Sequence, residues 1–224
     1  MCTVIFIPKN NREFLLASSR DEHQDRPRAI PPRTKIFLNN DLVYPQDPVG
    51  KGSWMVCHGG TALCIMNGAN KPHKRYPPYK YSRGLIPFKY LEIRHKNGSF
   101  EKDIDIEGVE AFTLIVVTEK EIKEYRWNQE DLNLHTFSIK KPKIWASAPL
   151  YDSKMFEQRK SWFNNFLLKY PDPNPENVFH FYLNGGNDDP HSGLIINRDN
   201  GVKTVSLSCL EVKDRKATMH YKEL

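Results

Sequence analysis

The sequence predicts an α+β fold, with many antiparallel strands and a few helices packed outside them. Three observations carry that prediction. Short apolar runs recur along the chain and are joined by turn chemistry such as "PKNNR" and "HGG". Helical spacing is confined to a few stretches, the clearest being 153–169. The 16 prolines and 12 glycines favour frequent turns over long helices. At 224 residues, of which 12% are aromatic, the chain is long enough to bury a sizeable core and too aromatic to be disordered.

In order, Thr3–Ile7 and Glu13–Ser18 are strand candidates joined by a hairpin-like turn. Residues 26–50 contain Pro27, Pro31, Pro32, Pro45 and Pro48, and read as a loop-rich excursion with little regular structure. A second hairpin runs from Gly52–Cys57 to Thr61–Met66, with Gly59-Gly60 as its turn. The stretch "NGANKPHKRYPPYKYSRG" reads as a long irregular loop. Ser82 is a cap for a helix over about 83–96, weakened in its first turns by Pro87 and ended by Gly98. "AFTLIVVT" and "EIKEYRW" make a third hairpin turning at Glu119-Lys120. Asp152 caps the helix 153–169, whose Met155, Phe156, Arg159, Trp162, Phe163, Phe166 and Leu167 fall on one core face. "NPENVFHFYLN" is a shorter helix with Pro175 at its first position. The remainder, through "VKTVSLSCLEVKDRKATMHY", reads as further antiparallel strands. No repeat, low-complexity tract or linker divides the chain, so residues 1–224 are expected to form one domain.

The bulk numbers bound the function. Net charge is +6, from 33 basic and 27 acidic residues. That favours anionic partners slightly and does not argue for nucleic acid. The apolar run Thr3–Ile7 stops at Pro8, too short for a secretory segment, and nothing approaches the roughly 18 apolar residues of a membrane helix. A cytoplasmic location is expected, with Cys2, Cys57, Cys64 and Cys209 as reduced thiols.

Three features could carry chemistry. Methionine before a small second residue is commonly trimmed, which would expose Cys2 with a free α-amine. An α-amine has a pKa of about 7.7–8.0 and a thiol about 8.5, so the amine can serve as base for its own thiol. The plain alternative is an incidental second-position cysteine. In "LLASSRDEHQDRP", Arg20 and Asp21 end the second strand. If the first two strands pair, that end lies beside Cys2, where an arginine favours the thiolate and an aspartate orients an ammonium. The plain alternative is a solvated charge cluster. Asn67 ends the run "TALCIM", where a side-chain amide can donate to an oxyanion, or where Asn-Gly simply turns the chain.

Other signals are weaker. Cys57, His58 and Cys64 match no zinc spacing, and "DDPH" (Asp188, Asp189, His191) reads as a polar loop, so no metal or other cofactor is expected. "NKPHKRYPPYKYSR" packs Lys71, Lys74, Arg75, Lys80 and Arg83 among Tyr76, Tyr79 and Tyr81. Such a stretch can grip single-stranded nucleic acid or an anionic small molecule, or it can be a solvated loop. An anionic ligand is preferred over nucleic acid.

The segments "MCTVIFIP", "SSRDE", "GSWMV" and "ALCIMNGAN" together resemble the NRDE family, which includes the transport and Golgi organisation 2 proteins. "EAFTLIVV", "KIWASAPLY", "EQRKSWF" and "VKTVSLS" extend the resemblance over most of the chain, toward its shorter bacterial members. That family is similar to N-terminal nucleophile hydrolases of the cysteine type, which implies a four-layer αββα fold. The resemblance further implies Cys2 as nucleophile with its α-amine as base, Asp21 orienting the amine, Arg20 tuning the thiolate and Asn67 facing the oxyanion. Ser147, Arg75 and Arg83 are candidates for substrate binding. Two departures stand out: Ser19 replaces the Asn of the family motif, and Ala148 follows Ser147 where related chains often carry Asn. Two functions remain open, a hydrolase of a non-peptide amide or related acyl bond, and a non-catalytic carrier of a hydrophobic anion such as an acyl-CoA, a lipid or haem.

Overall fold

The computed structural model describes residues 3–9, 13–74, 76–148, 152–186 and 189–224. Strands β1 (Thr3–Pro8) and β2 (Phe14–His23) form the first hairpin, with Val4 opposite Ser18 and Pro8 opposite Phe14. Val4, Phe6, Phe14 and Leu16 enter one core while Ile5, Ile7, Leu15 and Ala17 enter another. Both faces are buried, so these strands read as continuous apolar runs rather than as alternation.

The expected loop at 26–50 is instead a hairpin of β3 (Ile30–Phe37) and β4 (Asn40–Gln46). Its two-residue turn, Leu38-Asn39, has φ of 48° and 63°, the mirror-image turn that matches strand twist. The prolines misled because β3 lies at a sheet edge, where a missing donor costs no ladder bond. The register shifts between Ile30 and Arg33, around Pro31 and Pro32.

Strands β5 (Met55–His58) and β6 (Thr61–Asn67) make the second hairpin, turning at Gly59 and Gly60 with φ of 54° and 82°. A 3-10 turn at Arg83–Leu85 follows, the Gly84 amide donating to Ser82 Oγ. It leads into α1 (Ile86–His95) and the single turn α2 (Phe100–Asp103). Pro87 does not weaken α1, because it sits in the first turn, where its missing N–H has no intrahelical partner to lose. Next come β7 (Phe112–Val117), β8 (Ile122–Trp127), β9 (Leu132–Phe137) and β10 (Lys143–Ala146). Helix α3 (Ser153–Lys169) is capped by Asp152, which accepts from Met155 N, and α4 (Pro175–Asn184) opens on an Asn174–Asn177 capping box. Strands β11 (Val202–Lys213) and β12 (Lys216–Glu223) close the chain.

The strands form two antiparallel sheets, ordered β10-β1-β2-β11-β12 and β3-β4-β5-β6-β7-β8-β9. Three cores order four layers. One contains Phe6, Leu16, Met55, Cys64 and Leu210 and joins the sheets face to face. Another packs Ile86, Tyr90 and Phe100 of α1 and α2 on the larger sheet. The last packs Phe163, Phe166, Phe181 and Tyr182 of α3 and α4 on the smaller sheet. The result is the αββα order expected. None of the described helices is long and apolar enough to cross a membrane.

Candidate active site

A cleft of about 550 Å³ opens where the end of β2, the segment after β4, the end of β6 and the 3-10 turn meet. Arg20, Trp54, Asn67, His73, Arg83 and Glu110 are among its lining residues. Arg20 has the parity of Phe14 and Leu16, so strand alternation carries it onto the face between the sheets. Its guanidinium lies over the Trp54 ring at 4.5 Å, and Nη2 donates to Asp47 Oδ2 at 2.9 Å. Trp54 is fixed in turn by its indole N–H, which donates to Ser208 Oγ on β11 at 3.3 Å.

Asp47 is the fixed point of this wall. Oδ2 accepts from Arg20 and from Arg26 Nε (2.8 Å), and Oδ1 accepts from the amides of Val49 and Gly50, both at 2.8 Å. Burial alone would raise its pKa. The Arg26 hydrogen bond, the Gly50 amide and the two guanidinium charges outweigh burial and hold the carboxyl below the ordinary Asp value. A depressed folded pKa gives stability above the unfolded pKa of about 3.9 that is lost as pH falls through the folded value. Asp47→Asn is therefore expected to be less stable than the parent at neutral pH, with the gap shrinking between about pH 5 and pH 3. Thermal unfolding across that range checks this, and a gap independent of pH contradicts it.

Asp21 takes the opposite face. It is buried, and Oδ1 accepts from Thr204 Oγ1 at 2.7 Å. A bulge between Thr204 and Ser206 on β11 lies at this point in the ladder. Arg20 and Asp21 are thus neighbours in sequence that serve opposite faces of one sheet, only Arg20 lining the cleft.

Asn67 lines the cleft from the end of β6, where Gly68 (φ 79°) turns the chain away. Its carbonyl accepts from Ser147 Oγ at 2.7 Å. Ser147 is buried, and its proton is given to Asn67, so it braces the strand end rather than lining the cleft. Arg83 lines the cleft but is engaged: Nη1 donates to Ala111 O at 3.0 Å and Nη2 pairs with Glu110 at 2.9 Å. His73 Nε2 meets the other Glu110 oxygen at 3.2 Å. Cys2 and Arg75 lie outside the described residues.

The first described residue is held from three sides. The Thr3 amide donates to Ser19 Oγ at 3.2 Å, Thr3 Oγ1 accepts from Arg159 Nε at 3.2 Å, and Thr3 O accepts from the Tyr182 hydroxyl at 3.0 Å. Arg159, with 0% exposure, also donates to Gly193 O at 2.7 Å. Sequence reading placed Arg159 on the core face of its helix and gave it no role. The signal was available: an arginine inside an apolar stripe needs buried partners.

Among the described residues, no group of three or more His, Cys, Asp or Glu is placed to hold a metal. Cys57, Cys64 and Cys209 are buried. Burial pushes the Cys57 thiol up to about 12 and raises Cys209 as well, so both are un-ionised near neutral pH.

Residues 1–191 match the family model described as Transport and Golgi organisation 2. No curated protein matches the sequence. Among solved structures, a C2A mutant of the conjugated bile acid hydrolase from Clostridium perfringens is similar to 100% of this chain. The likeness covers 92% of that chain at 7% sequence identity and a TM-score of 0.55. At that identity the likeness is one of fold: the chain has the N-terminal nucleophile hydrolase architecture.

Proposed function

The chain belongs to the transport and Golgi organisation 2 family, and from that premise we propose that it is an N-terminal cysteine hydrolase acting on a non-peptide amide or a related acyl bond. The observation that carries the reading is the meeting of Arg20 and Asn67 on one cleft, at the end of the sheet where β1 begins. Cys2 is bonded directly to Thr3, the first residue of β1, whose amide donates to the side chain of Ser19, the neighbour of Arg20. The fold likeness adds support, since the solved neighbour is a hydrolase carrying a cysteine-to-alanine change at its own second position.

In this mechanism the Cys2 thiol gives its proton to the α-amine, and the thiolate attacks the substrate's carbonyl carbon. Asn67 donates an amide N–H to the oxygen as it gains charge, and the Arg20 guanidinium favours the thiolate. Asp21 acts from the far face of β2 as the carboxylate that favours the ammonium. The C–N bond then breaks, and the amine leaves with the proton held by the α-ammonium. Water attacks the thioester with the α-amine as base, giving the carboxylic acid and restoring the thiol. Residues 1–224 are taken as one catalytic domain.

The test is burst kinetics with p-nitrophenyl acetate. An acyl-enzyme whose breakdown is slow is expected to release a burst of p-nitrophenol near one equivalent per chain before the steady state. A linear release at the rate of free cysteine, with no protein-bound acetyl by mass, contradicts the hydrolase and leaves the carrier reading.

A further inference from the structure

The charge of the cleft differs from the charge of the chain. The chain carries +6, yet among the described lining residues the cleft's charges balance: Arg20, Arg26 and Arg83 face Glu22, Asp47 and Glu110, and none is a lysine. The balance is local as well as formal. Arg20 pairs with Asp47 at 2.9 Å and approaches Glu22 at 3.5 Å. Arg26 pairs with Asp47 at 2.8 Å, and Arg83 with Glu110 at 2.9 Å. Arg20 is also stacked on Trp54.

From this charge balance we infer that the cleft selects an uncharged amide and rejects its anionic counterpart. An anion entering here leaves its hydration shell and meets guanidinium groups already neutralised by carboxylates. To pair with one it must come close beside Asp47 or Glu110, whose carboxylate repels it and already offsets the guanidinium charge. The surplus positive charge of the chain does not help, because exposed charges beyond about 8 Å are largely screened at physiological salt. A neutral amide needs only a donor, an acceptor and an apolar wall. Trp54 and Ile65 supply the wall, and the Asn67 side chain supplies a donor and an acceptor. The lysines of the 71–80 segment do not alter this, because none of them lines the cleft. Two of their ammonium groups have partners of their own, Lys74 over Tyr76 at 5.3 Å and Lys80 on Asp105.

The inference takes the cleft as the binding site of the proposed hydrolase but does not depend on Cys2. Octanamide and octanoate, which differ only in the head group, are the probes. The full chain is titrated with each at pH 7, following the Trp54 indole N–H resonance. That signal is assigned among the 4 tryptophans by its loss in Trp54→Phe. Calorimetry supplies Kd at two salt concentrations. Octanamide is expected to move the Trp54 signal and to bind at least tenfold more tightly than octanoate, with no dependence on salt. Octanoate binding as tightly or more tightly, and weakening with salt, overturns the inference. A Trp54 signal that neither probe moves overturns it too, since a neutral amide then has no place in the cleft. The two readings fail separately. Rapid acylation of Cys2 together with octanoate preference keeps the nucleophile and discards the substrate class, while an inert Cys2 with octanamide preference does the reverse.

Discussion

Replacing Cys2 by alanine is expected to abolish the acyl-enzyme and lower kcat toward any amide substrate by up to about 10⁶-fold, the scale of loss when a catalytic nucleophile is removed. Near-UV circular dichroism of the variant is expected to match the parent, which separates lost chemistry from lost folding. Cys2→Ser is expected to retain a small fraction of the activity, because a hydroxyl gives up its proton to an α-amine far less readily than a thiol does. Retention of more than a tenth of parental turnover by the alanine variant contradicts the mechanism. Under the carrier reading the same variant loses nothing, and its affinity for ligand stays at the parental value.

Arg159→Met is expected to be the most damaging single change to stability among the residues near the site. The methionine fills most of the volume but donates nothing. Thr3 Oγ1 and Gly193 O, both served by Arg159 in the folded chain, are left without that donor. An unsatisfied buried acceptor costs ~1–3 kcal/mol, so the pair predicts a loss of roughly 2–6 kcal/mol. For a domain of this size that lowers Tm by about 5–15 °C. Thr3 is the residue bonded to Cys2, so the reactivity of Cys2 is expected to fall as well, at a temperature where the variant remains folded. Arg159→Lys restores a donor without the fork and is expected to fall between parent and Met variant. A change in Tm below 2 °C for Arg159→Met shows that the buried contacts do not carry the assigned weight.

The strands with both faces buried, the Gly59-Gly60 turn, the Asp152 cap and the Pro175 start were all legible, because each rests on local chemistry within a few residues. The hairpin of β3 and β4 was not legible. Its prolines say "no donor", and only the sheet order reveals that an edge strand needs none there. The strands β9 and β10 also escaped, the first because it is an exposed edge with no clean alternation and the second because it has only four residues. Arg20 and Asn67 were legible as candidates because both end an apolar run. What sequence could not say is that Asp47, far along the chain, binds Arg20 and Arg26 together and sets the charge of the cleft. Likewise Arg83 was legible only as a candidate for substrate binding, and its pairing with Glu110 depends on a contact between distant segments.

The central claim is that Cys2 is an N-terminal nucleophile, and one measurement reaches it most directly. Intact mass of the purified protein is taken before and after a brief exposure to a thiol-reactive acylating probe at neutral pH, with the label mapped by peptide digestion. The account predicts a mass lacking Met1 and a single label on Cys2, with Cys57, Cys64 and Cys209 unmodified in their cores. A chain that keeps Met1, or a Cys2 that labels no faster than the buried cysteines, contradicts it.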